Sequence, residues 1–235
     1  QKHARSLLYL HFLDPHGPYQ PPNEAYRHLG GTGASAALAL DTDLRDNLPD
    51  LVAEGFGPGD ARFDDLVRCY DAEIYDVDAA IGRFFAGLTA LGIADETLVV
   101  LTADHGEEFL EHGVMEHAWE LYPETFRVPL LFWAPGRVAA GRYGGVVSLV
   151  DVMPTVTRIQ GLRQAGAVDG TPLMSPGNGG VWQHQPAGGP RIMELLIESR
   201  CVVRGVVSDS SLYLAYWKYL SPEECAATAG ELKTI

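Results

Sequence analysis

One segment constrains the fold of this chain more than any other: Leu98-Val99-Val100-Leu101-Thr102-Ala103-Asp104-His105-Gly106-Glu107. Its apolar, β-branched start reads as a strand buried on both faces, and it stops abruptly at a carboxylate, an imidazole and a glycine. In an open α/β sheet, ligands bind in the crevice beyond the carboxyl ends of the strands. Asp104 and His105 supply the two donor types that first-row divalent metals accept, carboxylate oxygen and imidazole nitrogen. The plainer reading of the same residues is an aspartate that caps the next helix beside a solvated histidine.

The flanking sequence supports an α/β organisation. Leu7 to Leu13 reads as a first strand, ended by the loop-forming Asp14-Pro15-His16-Gly17-Pro18. Residues 20 to 59 read as an irregular excursion with room for a short helix. From Asp64, apolar residues recur at three- and four-residue steps (Leu66, Tyr70, Ile74, Val77, Ile81, Phe84, Leu88), and Gly92 reads as the stop. Strand, helix and the 97–102 strand then make a right-handed parallel crossover. A loop from Asp104 to Phe126 leads to a third strand, Val128 to Trp133. Ser148 to Asp151 has the form of a capping box, opening a helix with Pro154 near its start that runs towards Gly161. Pro and Gly thicken between 166 and 190. Beyond them, 201–207 and 211–219 are short β-prone runs of the hairpin kind. The expected domains are a core over 1–165, a linker or surface loop over 166–190, and a small antiparallel subdomain over 191–235.

Composition excludes some roles. The formal net charge of -14 argues against a nucleic-acid partner, which needs a basic surface. No apolar run is long enough to cross a bilayer, so no membrane role is expected. Cys69, Cys201 and Cys225 are odd in number and widely spaced, and fit neither a disulfide framework nor a zinc knuckle. The sequence leaves the compartment open between cytoplasm and periplasm, and the oligomeric state open altogether.

Two expected strand ends carry polar donors, Asp14 and His16 on one and Asp104 and His105 on the other. On parallel strands of one sheet these groups share an edge, and groups held on rigid elements are what a catalytic site needs. Glu107, Glu108, Glu111, His112, Glu116 and His117 crowd the loop that follows. Glu107 and Glu108 read as braces of that loop.

At this point the residues resemble a family, the sulfatases of the alkaline phosphatase superfamily. The resemblance rests on Leu8 to Tyr19 (Leu-Tyr-Leu-His-Phe-Leu-Asp-Pro-His-Gly-Pro-Tyr), Tyr70 to Asp78, and Thr102 to Gly113. It extends through Arg127 to Leu130 and Asp151 to Thr155, in the family's order, over roughly Leu7 to Leu162. It implies an alkaline-phosphatase-like, mostly parallel sheet flanked by helices, with a small C-terminal antiparallel appendage, incomplete in this chain. It implies that Asp104 and His105 are two ligands of one divalent metal, and that His16 contacts the sulfate group and the leaving oxygen. His117 falls where many sulfatases place a sulfate-binding Lys. The metal implied is Ca²⁺ or Mn²⁺, with Zn²⁺ also suited to a site that contains imidazole nitrogen.

The chain departs from the family in two respects, the nucleophile and two further metal-ligating Asp residues that sulfatases take from near the start of the full chain, so half of the implied metal cage is expected to be absent here. Sulfatases use a formylglycine made from a Cys/Ser-x-Pro-x-Arg motif. Cys69, Cys201 and Cys225 are followed by Tyr-Asp-Ala-Glu, Val-Val-Arg-Gly and Ala-Ala-Thr-Ala, and Ser175 precedes Pro176 directly. Formylglycine is therefore expected in the parent enzyme and not here, and this chain alone is expected to be inactive. The resemblance implies a sulfuric ester hydrolase acting on a small-molecule or carbohydrate sulfate ester. Two alternatives stand beside it: a phosphonate or phosphodiester hydrolase of the same superfamily, and a non-catalytic metal- or partner-binding relative.

Overall fold

The computed structural model describes residues 5–32, 44–117, 121–185, 191–197, 201–208, 212–218 and 233–234; Cys225 lies outside them. The chain divides into two compact units, Gln1–Leu91 with Phe109–Glu116, and Gly92–Glu108 with His117–Ile235.

The first unit is organised by one long helix. Its described helices are α1 (Asn23–His28), α2 (Leu44–Ala53) and α3 (Ala61–Ala90). The start of α3 is fixed by Asp60, whose carboxylate accepts the Arg62 N–H at 2.8 Å and satisfies a donor that the first turn leaves open. It ends beside Gly92, whose φ of 69° suits glycine. Phe63, Leu66, Cys69, Ala72 and Glu73 recur at helical spacing and are buried. The apolar members pack with Tyr19, Ala25, Tyr26, Phe56 and Met115 into one core. Met115 belongs to a hairpin of β2 (Glu108–Phe109) and β3 (Met115–Glu116), closed by a 2.9 Å bond from Leu110 N–H to Val114 O. The expected loop from Asp104 to Phe126 thus contains a hairpin and a helical turn, α4 (Pro123–Phe126). The irregular excursion likewise contains two helices, its weak periodicity offset by burial of Tyr26 and by Leu48 and Leu51 packing against the core.

The second unit is built from antiparallel pairs. β1 (Val99–Thr102) pairs with β4 (Leu130–Trp133), register Val99↔Trp133 to Thr102↔Leu130. This corrects one expectation. Leu7 to Leu13 forms no strand among the described residues and runs as exposed chain, so the expected first strand is not found there. A β-prone run becomes a strand only where another strand takes up its N–H and C=O groups. Ser148 and Asp151 form the capping box read from the sequence, ahead of α5 (Val152–Ile159), with Ser148 N–H donating to Asp151 Oδ2 at 2.9 Å. Asp151 is fully buried and also receives Thr171 N–H at 2.8 Å and the Arg191 guanidinium at 2.7 Å, so one carboxylate ties three segments together. Ile159, Leu173 and Met174 form a second core, against which Leu98, Leu130 and Phe132 pack. β5 (Met174–Pro176) pairs with β6 (Trp182–His184). β7 (Arg191–Ile197), β8 (Cys201–Val207), β9 (Leu212–Lys218) and β10 (Lys233–Thr234) form an antiparallel meander that includes the expected hairpin. No helix among the described residues is long and apolar enough to cross a membrane.

Candidate functional site

Strand β1 ends at Thr102, and the chain turns at Asp104 with its side chain 82% exposed. Asp104 Oδ1 accepts the His105 N–H at 3.0 Å, which fixes the carboxylate against its neighbour. Asp104 Oδ2 lies 3.7 Å from His105 Nε2. The other ring nitrogen, Nδ1, is 2.9 Å from Gly106 O. A carbonyl only accepts, so Nδ1 carries a proton, and in the neutral ring Nε2 keeps the lone pair. A backbone carbonyl that fixes the tautomer in this way is the usual support of a metal-binding imidazole. One carboxylate oxygen and one bare nitrogen at this separation suit two neighbouring ligands of one ion, each bond being about 2.0–2.2 Å.

Gly106 holds the corner closed. Its N–H donates to Thr125 O at 2.7 Å, and a Cβ at this position would stand 2.0 Å from Glu124 O. Only glycine permits that approach.

His117 completes the cluster. Its ring stacks on that of His105, with centroids 3.9 Å apart and planes inclined by 29°. Its Nδ1 is 2.9 Å from Oε1 of Glu107, whose side chain is only 5% exposed. The carboxylate accepts, so His117 Nδ1–H donates, and the bond fixes the ring's orientation. Glu107 therefore braces the loop, as its position in the sequence suggested. The structure brings Asp104, His105 and His117 together in the second unit.

His16 belongs to the first unit and is exposed, with Nδ1 2.7 Å from Gly17 O. Its loop is held by a residue to which sequence reasoning gave no role. Glu73, 3% exposed on α3, accepts the Gln20 N–H at 2.6 Å through Oε1, while its buried Oε2 meets no donor at hydrogen-bond distance among the described residues. Burial pushes the Glu73 carboxyl up to about 7; the Gln20 N–H opposes this, Asp14 adds to it, and His16 opposes it. The one sequence signal for it is a carboxylate in the apolar stripe Leu66-Cys69-Ala72-Glu73.

Comparison with known proteins agrees with the motifs. The family described as Sulfatase matches residues 1–162. Arylsulfatase K of Mus musculus is 29% identical over 166 residues, covering 69% of this chain and 29% of its own length. Among solved structures, one in complex with its substrate D-glucosamine-2-N,6-O-disulfate aligns with a TM-score of 0.58 at 18% identity, covering 89% of this chain and 42% of that one. The phosphonate monoester hydrolase of Silicibacter pomeroyi aligns with a TM-score of 0.58 at 22% identity, covering 86% and 43%. These likenesses bear out the alkaline-phosphatase-like α/β fold expected from the sequence. The chain spans less than half the length of each of these proteins. Sulfatases in general work with a divalent metal and a formylglycine.

Proposed function

Because the chain belongs to the sulfatase family, we propose that it forms part of a metal-dependent hydrolase of sulfate esters and supplies two metal ligands, Asp104 and His105. The observation that carries the proposal is the pairing of Asp104 Oδ2 with His105 Nε2 at 3.7 Å, with the opposite ring nitrogen tied to Gly106 O. A divalent ion bound there supplies Lewis acidity at the ester oxygens. Ca²⁺, Mn²⁺ and Zn²⁺ are the candidates, and the imidazole nitrogen favours the last two over Ca²⁺.

His117, oriented by Glu107, presents an imidazole whose remaining nitrogen can donate to a sulfate oxygen when protonated. A donor aimed where charge develops lowers the barrier. His16, with Nδ1 held by Gly17 O, keeps Nε2 for proton exchange with the leaving oxygen. That role comes from its place in the Asp-Pro-His-Gly-Pro-Tyr motif. None of the three cysteines stands in the formylglycine pattern, so these residues bind and orient but do not attack. The proposed substrate is a sulfate ester of a small molecule or carbohydrate. A second reading, phosphonate ester hydrolysis, is favoured by the Silicibacter pomeroyi likeness, and the same residues would serve it.

The test is metal binding by the whole chain, measured calorimetrically with Mn²⁺ and Zn²⁺. One equivalent should bind, and the double variant Asp104→Ala, His105→Ala should lose at least about 100-fold in affinity. Unchanged affinity in a folded double variant overturns the assignment. Aryl sulfate turnover by this polypeptide alone would show that a nucleophile is present after all.

A further inference from the structure

The first unit contains a buried carboxyl that no proposed chemical step uses. Glu73 sits among apolar residues on α3, with Cys69 and Ala72 on the same face fully buried. It reaches out of its own helix: Oε1 takes the backbone N–H of Gln20, 53 residues earlier, at 2.6 Å. Gln20 closes the loop that carries Asp14 and His16. Tyr19, next to it, is buried and packs edge-on against Tyr70 at 5.4 Å. The loop is thus fastened to α3 at two adjacent points, an aromatic ring and a carboxyl.

We propose that Glu73 is the positioning residue of the His16 loop, a latch whose neutral carboxyl holds residues 14–20 against α3 and whose ionisation releases them. Catalytic relevance rests on the role proposed above for His16; the latch itself does not. A carboxylate buried to this degree, with the Gln20 N–H on Oε1, is poorly solvated in the closed loop and well solvated once the loop lifts. The proton is therefore held more tightly when the loop is closed. By linkage, raising the pH favours opening, and the effect is complete above the closed-state value near 7.

The groups that act on Glu73 come from the loop: the Asp14 charge disfavours its ionisation, and His16 favours it, first through its backbone N–H and then through its ring. Several titratable groups around α3 and on the elements packed with it have partners of their own. The Tyr26 hydroxyl of α1 donates to Asp65, which also takes Arg68 at 3.0 Å. His28 stacks on Tyr75, and Glu111 of the hairpin turn accepts Phe109 N–H.

The experiment is hydrogen exchange at the Gln20 amide in the whole chain, with the intrinsic pH dependence of exchange divided out. Protection should fall about 20-fold between pH 5.5 and 7.5, as a group bound at 7 in the closed loop and at an ordinary glutamate value in the open one requires. Glu73→Gln keeps an acceptor for Gln20 and cannot ionise, so protection should persist and lose its pH dependence. A flat wild-type profile overturns the latch, and so does an undiminished pH dependence in Glu73→Gln. The wild-type profile decides the matter even where the variant does not fold. Neither readout involves metal or turnover, so failure of the latch and failure of the sulfatase reading are separable.

Discussion

Two apolar runs in this chain end in the same chemistry and are held in opposite ways. Leu98 to Thr102 leads into Asp104 and His105; Leu7 to Leu13 leads into Asp14 and His16. The first run enters a ladder with β4 and packs against a core through Leu98. The second forms no ladder among the described residues, and Leu7, Tyr9 and Leu13 are 92%, 81% and 73% exposed. At the first corner the histidines are fixed by near neighbours in sequence, Asp104, Gly106 and Glu107. At the second, a carboxyl from a distant helix holds the loop. A local corner is insensitive to events elsewhere, whereas a latched loop inherits the titration of its latch.

The largest expected effect follows from that difference. The Glu73 carboxyl is raised in the folded chain to about 7, above its ordinary value of 4.5. Between those values the folded state holds a proton that the unfolded state has released. Stability is therefore greatest below about pH 4.5 with respect to this group, and falls as the pH rises through 7. The loss is at most about 3 kcal/mol, since each tenfold difference in proton affinity is worth about 1.4 kcal/mol and the loss stops growing once the loop opens. Urea unfolding at a series of pH values should show the decline, and Glu73→Gln should remove that component. A wild-type stability that rises between about pH 5 and 7.5 by the same amount in both proteins would show that Glu73 contributes nothing to the profile.

A smaller effect is expected at the other corner. In Gly106→Ala the new Cβ meets Glu124 O, a backbone atom that no side-chain rotation can remove. Overpacking of this kind costs about 1–3 kcal/mol. The Asp104–His105 pair should lose metal affinity in calorimetry while Gln20 exchange in the first unit stays unchanged. Unaltered affinity in Gly106→Ala would mean that the 2.7 Å bond to Thr125 O does not shape the corner.

What was legible in the sequence divides along the same line. The capping box at Ser148 and Asp151, the extent of α3 and the Asp104–His105 pair are written in residues within one or two turns of each other. Those interactions form wherever the backbone goes. The fate of Leu7 to Leu13 was not legible, because a strand is completed by partners that its own residues do not name. The antiparallel pairing of β1 with β4 escaped for the same reason. A run of apolar residues carries no direction for its neighbour. Glu73 stands within a family motif that suggests no role for it, since its meaning depends on a chain crossing 53 residues away. The brace from Glu107 to His117 joins residues close in sequence and was legible in kind, though not in its partner.

The smallest effect is the sharpest test of the contrast between the two runs. Leu98→Ala removes a half-buried side chain packed on the Ile159–Met174 core and should cost about 1–2 kcal/mol, less than the deletion of a fully buried leucine. Leu8→Ala changes a residue that is 70% exposed and should lie within about 0.5 kcal/mol of wild type. Both are read from the same denaturant midpoints, so systematic errors cancel. Equal losses at Leu8 and Leu98 would mean that Leu7 to Leu13 is covered in solution. The two runs would then share one means of support, and the latch at Glu73 would be a second fastening on an already anchored loop.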